Sequence, residues 1–236
     1  MKRYLTAAAF AAVAFASAGS ASALDCTTCE LFPPITNVQT FAHGYVKSEV
    51  NAKVGVAVGD VKVSGTAVGN NLSIDAGTGT TGRISNTQNF AGYNDLLIST
   101  VNVTGTTNSN GALSGKLTVD NTAVANNASI KLGACCTSAP AIENTQTVSW
   151  DPTATTNVLL TSVTGASAIN TTAVGNNLSV EGRIASLSTR QTDTWAPIQA
   201  FSNVTIGTVG AGGLTIGNTA VGNNASWSLT PKVVTP

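Results

Sequence analysis

A ten-residue phrase recurs four times along this chain: GTAVGNNLSI at Gly65–Ile74, NTAVANNASI at Asn121–Ile130, TTAVGNNLSV at Thr171–Val180 and NTAVGNNASW at Asn218–Trp227. A second phrase precedes each copy: ITNVQT from Ile35, ISNTQN from Ile84, IENTQT from Ile142 and LSTRQT from Leu187. From the Gln of one phrase to the central Ala of the next, the separations are 28, 35, 27 and 29 residues. The long one holds TGTTNSNGA, a Gly- and Asn-rich insertion that reads as a loop. Repetition on this scale sets the architecture before any local preference does. The chain therefore divides into four repeats of about fifty residues, 35–83, 84–141, 142–186 and 187–236.

Within each repeat apolar residues recur with period two. KVGVAVGDVKVSGTAV at Lys53–Val68 alternates Val with small or polar residues, and GKLTVDNTAV in the second repeat does the same. No amphipathic helix is legible after the first two dozen residues, and Gly and Asn punctuate the strands at the spacing of turns. The fold class is all-β. In T-A-V-x-N-N-x-S, Ala and Val alternate faces of a strand. The Asn-Asn pair then reads as a turn, because Asn and Gly tolerate the left-handed conformation.

Stacking such units in register lets each side-chain amide donate to and accept from its copy on the next rung, about 4.8 Å away. The expected ladder residues are Asn70, Asn126, Asn176 and Asn223, with Gln39, Gln88, Gln146 and Gln191 forming a second ladder. The reading is a stacked β-solenoid with two rungs per repeat, making eight rungs and a rod on the order of 40 Å. A sandwich or barrel of hairpins and a four-bladed propeller are the alternatives.

The first residues read as an export signal. Lys2 and Arg3 precede an Ala-rich apolar stretch, and ASA at Ala21–Ala23 offers a cleavage site, giving a signal peptide over 1–23 and a mature chain from Leu24. No later segment approaches the roughly 20 apolar residues that span a bilayer. The expected location is extracellular or the outer cell surface, with the periplasm as the other exported compartment. Residues 24–34 form a cysteine-containing N-terminal cap, and TPKVVTP, with Pro231 and Pro236, can blunt the other end.

Cys26 and Cys29, with Cys135 and Cys136, read as two structural disulfides in an oxidising compartment. A bond between neighbouring Cys135 and Cys136 would be strained, which favours links between the clusters. Four thiolates on zinc are the competing reading.

Chemistry is otherwise sparse. Only 9% of residues are charged, against about 25% in typical soluble domains, and no basic footprint for nucleic acid exists. The single histidine, His43, stands in FAHGY with no G-x-S-x-G elbow to build a triad upon. GTGTTG at Gly77–Gly82 matches a dinucleotide fingerprint, but a strand-like segment follows it where a helix is required. Asp60, Asp75, Asp120 and Glu181 flank the repeated decapeptides, as turn or solubilising residues do. The aromatics Phe41, Phe90, Trp150 and Trp195 follow the four Gln residues. Tyr45, Tyr93, Trp150, Trp195 and Trp227 offer flat faces for sugar rings or for core filling. No enzyme, no cofactor and no metal are expected.

The spaced amides of I-x-N-x-Q at Ile35, Ile84 and Ile142 resemble curlin-type repeats, the units of secreted bacterial amyloid fibres. The export signal followed by TAVGNN-like repeats resembles holdfast-anchor proteins, which tether adhesive polysaccharide at the cell surface. The Q-x-G-x-x-N-x-A order of curlins is missing, and the repeat is about twice as long. The resemblance implies an exported structural protein of the cell surface or biofilm matrix, acting in adhesion, anchoring or self-assembly. Implied partners are further copies, other surface proteins, an outer-membrane export machinery and polysaccharide. The alternative is a carbohydrate-binding module or polysaccharide-modifying enzyme on the same scaffold.

Overall fold

The computed structural model describes residues 31–42, 44–57, 59–77, 79–91, 96–105, 111–133, 139–194 and 197–229. The first turn of the chain holds β1 (Leu31–Phe32), β2 (Ile35–Phe41), β3 (Tyr45–Val54), β4 (Val56–Ala57) and β5 (Val61–Asp75). The second holds β6 (Thr80–Thr81), β7 (Arg83–Phe90), β8 (Leu96–Gly105), β9 (Ala112–Leu113) and β10 (Leu117–Lys131). The third holds β11 (Ala141–Val148), β12 (Pro152–Val163) and β13 (Ser167–Gly182). The fourth holds β14 (Ser186–Asp193), β15 (Gln199–Val209) and β16 (Leu214–Leu229).

Every pairing among these strands is parallel, and like sits over like. The first sheet is β2-β7-β11-β14, the second β3-β8-β12-β15 with β4 and β9, and the third β5-β10-β13-β16. Each repeat thus supplies one strand to each of three sheets and closes one coil of a β-solenoid. Parallel pairing is incompatible with the hairpins that a sandwich or propeller blade requires.

The count of rungs differs from expectation. One repeat makes one rung, so four coils span three gaps of about 4.8 Å, roughly 14 Å between the outermost strands. The reason is strand length. The decapeptide does not turn at Asn-Asn; it lies inside strands of 15 or 16 residues.

What Asn-Asn marks is a change of phase. In β10, Leu117, Val119, Asn121 and Ala123 are buried in alternation, then Ala125 and Asn126 both turn inward, and Ala128 and Ile130 continue from there. The extra inward residue makes a bulge-like kink, matched one-to-one from coil to coil between the Val124↔Val174 and Asn126↔Asn176 pairs. Glycine at this point answers to crowding. A Cβ on Gly69 would lie 2.6 Å from a Phe90 ring carbon and 2.6 Å from the Ala125 carbonyl oxygen. The left-handed glycines lie elsewhere, Gly77 and Gly213 among them, in the bends between strands.

The long strands of the third sheet face both other sheets. Their first halves meet the second sheet around Val101, Leu117, Val119, Val158 and Ile169. Their second halves meet the first sheet around Ile84, Ile130, Ile142 and Leu178. Between these lies a small-residue centre of Ala67, Ala123, Ala154 and Ala173, filled out by Phe90 and Val148. Phe41 and Phe90 stack face to face, with centroids 5.0 Å apart. Val148 and Asp193 continue that column in the third and fourth coils. Trp150 stands in the bend after β11, and Trp195 lies outside the described residues.

Candidate functional site

The residues singled out for stacking stand in vertical columns. On the third sheet Asn70 donates to Asn126 (2.8 Å), Asn126 to Asn176 (2.7 Å) and Asn176 to Asn223 (2.7 Å). On the first sheet Gln88 donates to Gln39 (3.0 Å), Gln146 to Gln88 (2.8 Å) and Gln191 to Gln146 (2.8 Å). The two columns share the interior between the first and third sheets, where Gln88, Gln146, Asn126 and Asn176 are fully buried.

Each amide also reaches a main-chain carbonyl. Gln39, Gln88, Gln146 and Gln191 donate to the carbonyls of Asn71, Asn127, Asn177 and Asn224 at 2.8–2.9 Å. Asn70, Asn126 and Asn176 donate to the carbonyls of Asn89, Thr147 and Thr192 at 2.8–2.9 Å. Side chains thereby tie one sheet to the backbone of the other, at the point where the bulge disturbs the regular ladder. A buried polar network holds a unique arrangement only when its members are satisfied, and these are.

Three further columns run beside them. Asn37, Asn86 and Asn144 form an inner file at 2.7 Å that ends on the Thr189 hydroxyl at 3.1 Å. Asn71, Asn127, Asn177 and Asn224 form an outward file at 2.7 Å. Asn51, Asn102, Asn157 and Asn203 form another on the second sheet at 2.7–2.8 Å. The I-x-N phrase and the doubled Asn signalled the first two. The last had no repeated phrase around it, and only its spacing could have shown it.

The ends of the stack are unequal. Ile169 and Val180, in the third coil, are 0% and 1% exposed, whereas the residues paired to them in the fourth, Ile216 and Trp227, are 46% and 56% exposed. The amide columns end there with polarity. Among the described residues Asn223 accepts but donates to nothing, while Gln191 and Asn224 donate but accept nothing. The first coil presents the opposite groups: the Asn70 carbonyl oxygen accepts nothing, and the Asn71 amide N–H groups donate to nothing. At the Asn51 column the first coil is closed by Glu49, which accepts from Asn51 at 3.1 Å and pairs with Lys47 at 2.6 Å. Those contacts with Lys47 and Asn51 hold the Glu49 carboxyl below its ordinary range.

Comparison with known proteins bears on this geometry directly. A family model described as holdfast attachment protein D matches residues 112–233, a little over half of the chain, from β9 through the fourth coil. The chain belongs to the holdfast attachment protein D family. No curated protein and no solved structure matches it. Membership in a holdfast attachment family puts this protein in attachment at the cell surface.

For a holdfast attachment protein, the chemical candidates fall into place as structure. Asp75 accepts from the Gly77 N–H at 2.9 Å and shapes the bend after β5, so the G-x-G-x-x-G match begins in a turn. Asp60 accepts from the Lys116 N–H at 3.0 Å, and Asp120 from Asn170 at 3.1 Å, each joining successive coils. Among the described residues no group of three His, Cys, Asp or Glu side chains is placed to hold a metal. Tyr45 and Trp227 are exposed, at opposite ends of the stack. The signal peptide, His43, Tyr93, Trp195, the C-terminal TPKVVTP and all four cysteines lie outside the described residues.

Proposed function

We propose that this chain is an exported structural component of the cell surface that anchors adhesive material, and that it acts by stacking coil upon coil with further copies of itself. Membership in the holdfast attachment family supports the anchoring role. The observation that carries the mechanism is the polarity of the amide columns. The fourth coil offers a donor at Asn223 where the first offers an acceptor at Asn70. It offers an acceptor at Asn224 where the first offers a donor at Asn71. Head-to-tail contact of this kind is heterologous and does not close, so it extends. The three strands of an uncovered coil add main-chain groups to the same joint, and Ile216 and Trp227 add apolar surface.

The test separates the joint from the fold. Asn223→Asp keeps an oxygen that accepts from Asn176 and exchanges the outward donor for a charged acceptor; Trp227→Lys places a charge on the same end. Both variants are expected to be secreted and folded, to stay monomeric where the wild type forms filaments, and to shed adhesive material from cells. Filaments and retention equal to wild type would overturn the reading, as would a wild-type protein that stays monodisperse at high concentration.

A further inference from the structure

One interior column changes character at its last member. Phe41, Phe90 and Val148 stand on successive rungs of the first sheet, and Asp193 of β14 follows them. Its side chain turns inward as theirs do. A Cβ on Gly69 would meet the Phe90 ring at 2.6 Å, one on Gly175 would meet Val148 Cγ1 at 3.1 Å, and one on Gly222 would meet Asp193 Oδ2 at 3.0 Å. In the fourth coil a carboxylate thus fills the space beside a third-sheet glycine that apolar side chains fill in the coils before it. Phe90 and Val148 are fully buried in the small-residue centre, with Ile198 packed against it. Asp193, on the outermost described rung, is only partly buried.

An inward-pointing charge on an edge strand is one way to keep that edge from pairing. Any coil laid over the fourth takes the remaining water from this carboxylate. In the head-to-tail joint, the register that sets Ile35 over Leu187 and Gln39 over Gln191 brings Phe41 of the next copy over Asp193. An ionised carboxylate between Val148 and a phenyl ring is costly, and protonation removes that cost. Among the described residues no cation offsets it from inside. β15 and β16 carry no charged residue. Arg190 of β14, Glu143 of β11 and Glu181 of β13 are exposed on outward positions, and Arg183 precedes the far end of β14. The incoming β2 is uncharged, and Lys47, Glu49, Lys53, Asp60, Lys62 and Asp75 of the same coil are exposed. His43 follows Phe41 by two residues, outside the described residues.

We infer that Asp193 is an acid-sensitive stop at the open end of the stack: ionised, it opposes the laying-down of a further coil, and each joint that closes takes up a proton. The inference rests on the head-to-tail reading and adds its regulation. Burial in the joint raises the carboxyl above its value at the free end. The joint is therefore strongest below the ordinary Asp range, about pH 4, and weakens as pH rises through the raised value. Across that window the association constant falls about tenfold per pH unit, because about one proton is bound per joint. The other carboxylates of the joint, Glu49 and Asp75, stay in water and add no such slope.

The whole exported chain would be followed by light scattering and sedimentation between about pH 5 and pH 7. The concentration at which wild type assembles is expected to rise about tenfold per pH unit. Asp193→Asn, of the same shape, and Asp193→Val, which repeats Val148, should assemble at neutral pH as readily as wild type does in acid, with a flat profile. Glu143→Gln, which removes an exposed carboxylate of the third coil, should keep the wild-type slope, and so should His43→Gln. A slope that survives in both Asp193 variants, or that disappears in His43→Gln, would overturn the inference and leave head-to-tail stacking in place. So would a wild type that assembles equally at every pH. Monomers at every pH for the wild type and both Asp193 variants would overturn the stacking itself, and this inference with it.

Discussion

An amide inside the stack and an amide on its surface make the same ladder bond, but their removal leaves different things behind. Asn126 accepts from Asn70 and donates to Asn176 and to the Thr147 carbonyl, all within 2.7–2.8 Å and away from water. Asn126→Ala strands those partners in the interior, and a buried unpaired polar group costs about 1–3 kcal/mol. A loss of about 3 kcal/mol is therefore expected in chemical denaturation. Asn71→Ala, in the exposed file, is expected to cost under about 0.5 kcal/mol, because water replaces the lost partner. Asp151 gives the opposite sign. One of its carboxylate oxygens is buried without a partner, and desolvation raises its pKa. A raised acid is a cost to the folded state once ionised, and the cost disappears as pH falls below the carboxylate range. Asp151→Asn should therefore raise the melting temperature at neutral pH, and the gain should vanish in acid. A gain that persisted at low pH would contradict this.

At the scale of the strand, the bulge decides which residues were legible in the sequence. The period-two pattern, the repeat length and the partners in each column could be read from like phrases, because in-register stacking puts like on like. The number of rungs could not. Asn-Asn carries the chemistry of a turn, and nothing in the phrase says that its first Asn turns inward to donate across the core while the second stays outside. The glycine before it is misleading for the same reason: its freedom of backbone suggests a turn, but its missing side chain is what the packing uses. Gly69→Ala is expected to force Phe90 or the Ala125 carbonyl aside and to cost about 1–3 kcal/mol. At Gly77, a left-handed residue with open space around it, Ala is expected to cost through backbone strain instead. Ala substitutions read by thermal melting, combined with Phe90→Leu, distinguish the two. The smaller core residue should rescue Gly69→Ala in part, the Ala125 carbonyl contact remaining, and leave Gly77→Ala unchanged.

For the whole molecule, the sequence reads as a repeated scaffold, and the family model agrees with attachment. The outward Thr122, Asn127 and Ser129 columns, alike in every coil, escaped notice because a decapeptide read as a turn has no outer face. They became visible only when the strand was seen to run through Asn-Asn. Assembly and ladders alike depend on one repeat making one coil, with adjacent copies of the decapeptide on adjacent rungs. Cysteine pairs at the outward Ser column test that most directly, in a chain whose Cys26, Cys29, Cys135 and Cys136 are replaced by serine. Paired strands stand about 4.8 Å apart, within the reach of a disulfide, whereas a separation of two rungs, about 9.6 Å, is beyond it. Under mild oxidation Ser73→Cys with Ser129→Cys, Ser129→Cys with Ser179→Cys, and Ser179→Cys with Ser226→Cys should each cross-link within the monomer. Ser73→Cys with Ser179→Cys should not. Cross-linking of that last pair within one molecule, or failure of the three neighbouring pairs, would contradict the coil-per-repeat fold.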